Sequence, residues 1–172
     1  MGFADRWTSA FGMGPVDYAE AIAEQLTSGD EVIAHAQVIP SAYEGTSTSL
    51  NPGNRLLGMA INAVWNKASK QKHVGGEAGS IAQGLPREGE LAVAAFTRTG
   101  LSLWNFGTYG SEAEGKHVLT IPRADVASFE DTGQRAQGGV PVARVTFADG
   151  SFFDYRLISK PGDEFWRALT AW

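Results

Sequence analysis

Residues 140–172 read VPVARVTFADGSFFDYRLISKPGDEFWRALTAW, and they decide the architecture. Two alternating runs flank Asp149-Gly150, Pro161-Gly162 breaks the chain, and an amphipathic segment closes it. Alternation of period two predicts a β-hairpin. Phe165, Ala168, Leu169 and Trp172 share one side of a helix beginning near Gly162. The hairpin register follows from burial. A two-residue Asp149-Gly150 turn would set Val145 against Asp154 and Arg144 against Tyr155, mixing charged and apolar side chains on both faces. A three-residue loop, Ala148-Asp149-Gly150, sets Val145 against Phe153 and Ala143 against Tyr155. One face is then apolar throughout, extended by Phe147 and Leu157. That loop, with Gly150 left-handed, is a common hairpin connection, and it is the expected one. Asp163 and Glu164 fall in the first helical turn, where the helix dipole favours them.

Working outward, residues 91–96 (LAVAAF) and 101–106 (LSLWNF) read as strands joined by a turn at 97–100. Residues 117–123 and 124–130 read as two further strands, and 131–139 as a flexible tip. Upstream, 31–39 alternates as a half-buried strand that Pro40 ends. Val32, Ala34, Ala36 and Val38 lie on one face, and Glu31, His35 and Gln37 on the other. A helix from Pro15 to about Thr27 carries the stripe Tyr18, Ile22 and Leu26. Asn51-Pro52 starts a second helix, reaching about Lys72. Residues 74–89 are glycine-rich and expected to be irregular.

The Thr97–Leu101 hairpin, the Ile-Pro-x-x-Asp-Val stretch at 121–126, the Val-x-Phe-Ala-Asp-Gly-Ser stretch at 145–151 and the closing helix occur in an order that resembles the bacterial pleckstrin-homology-like domains, which include the GRAM-like barrels. The resemblance covers about residues 90–172, and 31–39 could supply the first strand. It implies an α+β fold: a seven-stranded antiparallel barrel capped by a C-terminal helix, acting without catalysis as a protein-docking or membrane-proximal module. On this reading residues 1–29 form an N-terminal helical appendage. Residues 30–172 form the barrel, with a helical insertion at 41–89.

Composition bounds the function. With 43% hydrophobic and 19% charged residues the chain can bury a core. It has no cysteine, so disulfides and thiolate metal sites are excluded. No run of about 18 apolar residues is present, and the N-terminus lacks a secretory pattern. A cytoplasmic protein is expected, with the inner face of the membrane within its reach. Residues 1–50 carry only Arg6 against seven acids, and the net charge is −5, so nucleic-acid binding is not expected. His35, His73 and His117 fall in no metal-ligand spacing, and no nucleophile elbow or phosphate-binding glycine motif occurs. Neither a catalytic centre nor a metal or cofactor is expected.

Two segments carry functional expectations. Residues 51–76 contain Arg55, Lys67, Lys70 and Lys72 and no acid. On a helical wheel Leu57, Ile61, Val64 and Trp65 lie on a broad apolar face of the 52–72 helix, with basic residues at its flanks. Such a helix packs on its own barrel, docks a partner or second copy, or lies on an anionic membrane. Phe3, Trp7 and Phe11 recur every four residues and form a packing stripe or a membrane anchor. The leading expectation is a protein partner or self-association. Anionic lipid binding is the first alternative, and a small-ligand barrel or enzyme the second.

Overall fold

The computed structural model describes residues 16–42, 73–87, 91–107, 110, 112–136 and 139–172. In chain order these form α1 (Tyr18–Ala23), β1 (Val32–Pro40), β2 (Val74–Gly75), β3 (Ala92–Thr97), β4 (Gly100–Asn105), β5 (Lys116–Pro122), β6 (Val126–Ala136), β7 (Val140–Phe147), β8 (Phe152–Leu157) and α2 (Asp163–Ala171). Single 3-10 turns lie at Ile81–Gly84 and Arg123–Asp125. The strands make one open sheet in the order β5-β4-β3-β1-β8-β7-β6, with β2 also on β8. Every pairing is antiparallel. The fold is α+β.

The closing hairpin takes the expected register, with Val145 opposite Phe153 and Ala143 opposite Tyr155. Gly150 adopts φ 78°, a conformation side chains resist, and its amide donates to the Phe147 carbonyl at 3.0 Å. Asp149 stiffens the turn by accepting from the Ser151 amide (2.9 Å) and hydroxyl (2.6 Å). Val145, Phe153, Tyr155 and Leu157 are consequently buried on one face.

The sheet curls so that its two halves enclose that face. Phe96 on β3 meets Phe129 on β6 edge to face, with centroids 4.9 Å apart. α2 lies over the same core. Phe165 is buried, and Leu169 and Trp172 pack beside it. Trp172 Nε1 donates to the Thr97 carbonyl at 2.6 Å, and Arg123 stacks over the indole at 4.2 Å. Those contacts hold the end of α2 to the β3–β4 turn.

A second apolar cluster lies on the opposite face of β1, β3 and β4. There α1 buries Ile22 against Val93, Ala95, Trp104 and Phe106. These strands are covered on both sides, which is why 91–96 reads as a continuous apolar run. α1 is shorter than the expected 15–27 helix. Asp17 caps it by accepting from the Glu20 amide at 3.1 Å. Beyond Ala23 the Gln25 and Leu26 amides turn back three residues, to the Ile22 and Ala23 carbonyls. Tyr18, Ile22 and Leu26 still share the buried side. Val32 departs from the expected face. A register irregularity between Val32 and Ala34 turns it into the α1 cluster, away from Ala34, Ala36 and Val38.

Two segments are more regular than expected. Residues 74–87 give β2 and a 3-10 turn, and they bury Val74, Ala82 and Leu85 in the main core. Residues 131–136 continue β6 along β7, with the pairing interrupted between Asp131 and Arg135. β1 leaves β8 with Pro40 opposite Tyr155, and β2 rejoins it with Val74 opposite Phe153. Both run antiparallel to β8, so β2 resumes the line of β1. Among the described residues no helix is long and apolar enough to cross a membrane.

Candidate functional site

Polar chemistry concentrates on the outer face of β7 and β8. The hairpin register sets Arg144 opposite Asp154 and places Val142 opposite Arg156. Asp154 is fully buried although it points away from the main core. Arg144 grips it with two charge-assisted bonds, Nε to Oδ1 at 2.7 Å and Nη2 to Oδ2 at 3.0 Å. His73 Nδ1 lies 3.1 Å from Oδ2. Burial alone would raise the Asp154 pKa, but the His73 and Arg144 hydrogen bonds overcome it and hold the carboxyl below its ordinary value. The bond to Asp154 moves the Arg144 pKa further up. Arg144 Cζ also lies over the Phe152 ring, 3.7 Å from its centroid. An ionised carboxylate only accepts, so His73 Nδ1 carries the shared proton.

Beside this cluster opens a pocket of about 260 Å³, lined by Ser41, His73, Gln134, Arg135, Ala136, Val142 and Arg156. Five of these seven are polar, and those five come from the end of β1, the start of β2, and β6 and β8. The Asp154 carbonyl accepts from the Ser41 amide at 2.8 Å and fixes that residue beside β8. The Ser41 Oγ is buried and has no hydrogen-bond partner among the described residues. Arg135 is engaged by Asp131 through bonds of 2.9 and 3.1 Å. Arg156 is half-buried, and its guanidinium has no hydrogen-bond or ion-pair partner among the described residues.

Away from this pocket, Tyr18 and His35 lie where α1 meets β1. Tyr18 donates to the Gly110 carbonyl at 2.8 Å and accepts from Gln37 Nε2 at 2.7 Å, which ties α1 to β1. His35 faces α1, 6.3 Å from the Tyr18 ring. Burial lowers its pKa from 6.5, partly countered by Asp17. The folded chain therefore binds the His35 proton less readily than the unfolded chain. The sign is that His35 costs no stability above about pH 6.5 and costs progressively more as pH falls from there toward its folded value. Melting temperature should thus fall as buffer moves from neutral to mildly acidic, and His35→Gln should flatten that slope. An unchanged slope would show that His35 does not contribute.

The basic helix proposed at 52–72, with Arg55, Leu57, Ile61, Val64, Trp65, Lys67, Lys70 and Lys72, lies outside the described residues. So do Phe3, Trp7 and Phe11. The structure instead gathers Ser41, His73 and Arg156, which the sequence reading did not combine. Arg144 and Asp154 were accessible in principle, because the favoured hairpin register places them face to face. Among the described residues no group of three or more acidic or histidine side chains could hold a metal ion. No family model, curated protein or solved structure matches the chain.

Proposed function

We propose that the chain is a non-catalytic interaction module of the pleckstrin-homology-like kind, which docks an extended segment of another protein along β5. The family reading is supported by the seven-strand antiparallel path and the helix laid over its apolar interior. A surface role is supported by the interior itself, where Phe96, Val145, Phe153 and Tyr155 are at most 2% exposed and occupy the space a ligand would need.

The observation that carries the docking site is β5. It ends the strand path and pairs only with β4 among the described residues. Lys116, His117, Val118 and Thr120 are exposed, and Val118, at 45%, is one of two large hydrophobic residues so placed among the described residues. An edge with unpaired backbone groups and an apolar side chain suits the addition of a partner strand. Lys116 and Pro122 at its two ends guard against indiscriminate pairing.

A photo-crosslinking side chain at position 118, with the same group at position 160 as control, tests this in the native cells. Position 118 should give one dominant adduct, with a partner protein or, if the chain self-associates, with a second copy. Adducts no stronger than those from the control position would end the proposal.

A further inference from the structure

We propose that the pocket between the end of β1, β6 and β8 binds a phosphoryl anion through Arg156, Ser41 and His73. This site is separate from β5, and it stands or falls independently of strand docking.

Three observations converge on it. The first is charge. Half-buried and buried cations are ordinarily paired, because desolvation is costly without a counter-charge. Arg135 has Asp131, and Asp154 has Arg144 and His73. Arg156 alone in the pocket has no anion among the described residues, although the chain as a whole carries net charge −5.

The second is Ser41. Its Oγ, in a residue only 3% exposed, is buried without a partner among the described residues, and it lines the same pocket. A buried hydroxyl left unsatisfied is uncommon and calls for an explanation such as a missing acceptor. The third is His73. Asp154 occupies its Nδ1, which leaves the second ring nitrogen for a ligand.

The donors also select the ligand's shape. A guanidinium offers two parallel N–H groups, a hydroxyl adds a donor from another direction, and His73 Nε2 can accept from a P–OH group. A tetrahedral anion with several acceptor oxygens satisfies all of them together, whereas a carboxylate has only two oxygens. The volume of about 260 Å³ lies just below the range of roughly 300–1,000 Å³ usual for drug-sized ligands. It suits a phosphoryl group with its nearest waters.

The test is calorimetric titration of the whole chain with inorganic phosphate, with chloride at matched ionic strength as the comparison. Phosphate should bind saturably in the millimolar range or tighter. Arg156→Gln should weaken binding about tenfold or more, and Ser41→Ala several-fold, as expected for losing hydrogen bonds to a charged ligand. Arg156→Lys should restore part of the loss. Circular dichroism confirms that each variant is folded, and Ser41→Ala carries the test should Arg156→Gln fail to fold.

Heat indistinguishable from that of chloride would overturn the proposal, as would unchanged phosphate affinity in a folded Arg156→Gln or, where that variant does not fold, in Ser41→Ala. Phosphatidylcholine vesicles doped with a phosphatidylinositol phosphate separate the two sources of a phosphoryl group. Cosedimentation abolished by Arg156→Gln supports the site and assigns a lipid headgroup. Saturable phosphate binding without cosedimentation supports it and assigns a soluble ligand.

Discussion

Replacing Phe96 by alanine should lower the unfolding free energy by about 4 kcal/mol, within the range of roughly 3–5 seen when buried aromatics are truncated. Phe96 is fully buried on β3. Its ring meets Phe129 at 4.9 Å, Trp172 at 5.1 Å and Phe165 at 6.0 Å, each edge to face. These partners belong to β6 and to α2 with its terminal residue, so one ring joins both halves of the sheet to the closing helix. The loss therefore combines burial, a cavity and several aromatic contacts, each worth about 0.5–1.5 kcal/mol beyond area. For a chain of this size the midpoint should drop by roughly 10 °C. Urea denaturation followed by tryptophan fluorescence measures the effect. Phe96→Leu should cost much less, and Phe96→Ala with Phe165→Ala should cost less than the sum, because the two share a contact. A loss below about 1 kcal/mol would mean that the two halves are not joined through this ring.

Arg144→Ala should destabilise by about 2–3 kcal/mol at neutral pH, toward the lower end of what breaking a buried ion pair costs. Arg144 is itself about one-third exposed (34%), and water screens part of the pair. What remains in the variant is Asp154, fully buried with only His73 beside it. The sign of the pH effect follows. In the parent the Asp154 pKa is held down, so its contribution is present above the ordinary carboxylate value and is lost as pH falls through the folded value. Without Arg144 the folded pKa rises. The gap between parent and variant should be widest near neutrality and close in acid. Equal stability at neutral pH would refute the account. Arg144→Met with Asp154→Leu should recover most of the loss, because neither charge is then stranded.

Much of the fold was legible because local and global signals agreed. The Asp149-Gly150 turn and the alternation around it admit only one register that keeps Phe153 and Tyr155 inside. The spacing of Phe165, Leu169 and Trp172 likewise pointed one way. The misread parts have specific causes. Residues 74–87 looked loose because of their glycines, yet Val74, Ala82 and Leu85 find the core only once β8 is beside them. The 131–136 segment carries polar turn residues, so its pairing with β7 left no periodic trace. Val32 was assigned to the wrong face because no feature of the 31–39 run announces the irregularity between it and Ala34.

The candidate site was the least legible. Ser41 sits after a proline, His73 follows the expected 52–72 helix, and Arg156 is one charge on an alternating strand. Long stretches of sequence separate them, and only the sheet brings them to one pocket. Alternation turns Asp154 outward on β8, as the structure shows, but Arg144 and His73 close over its carboxylate.

The seam where Pro40 lets go of β8 and Val74 takes hold has a practical meaning. To the sheet, these two pieces are one rod with a gap in it. The two ends lie against neighbouring positions of one strand, so a short flexible tether could span the break with little entropic penalty.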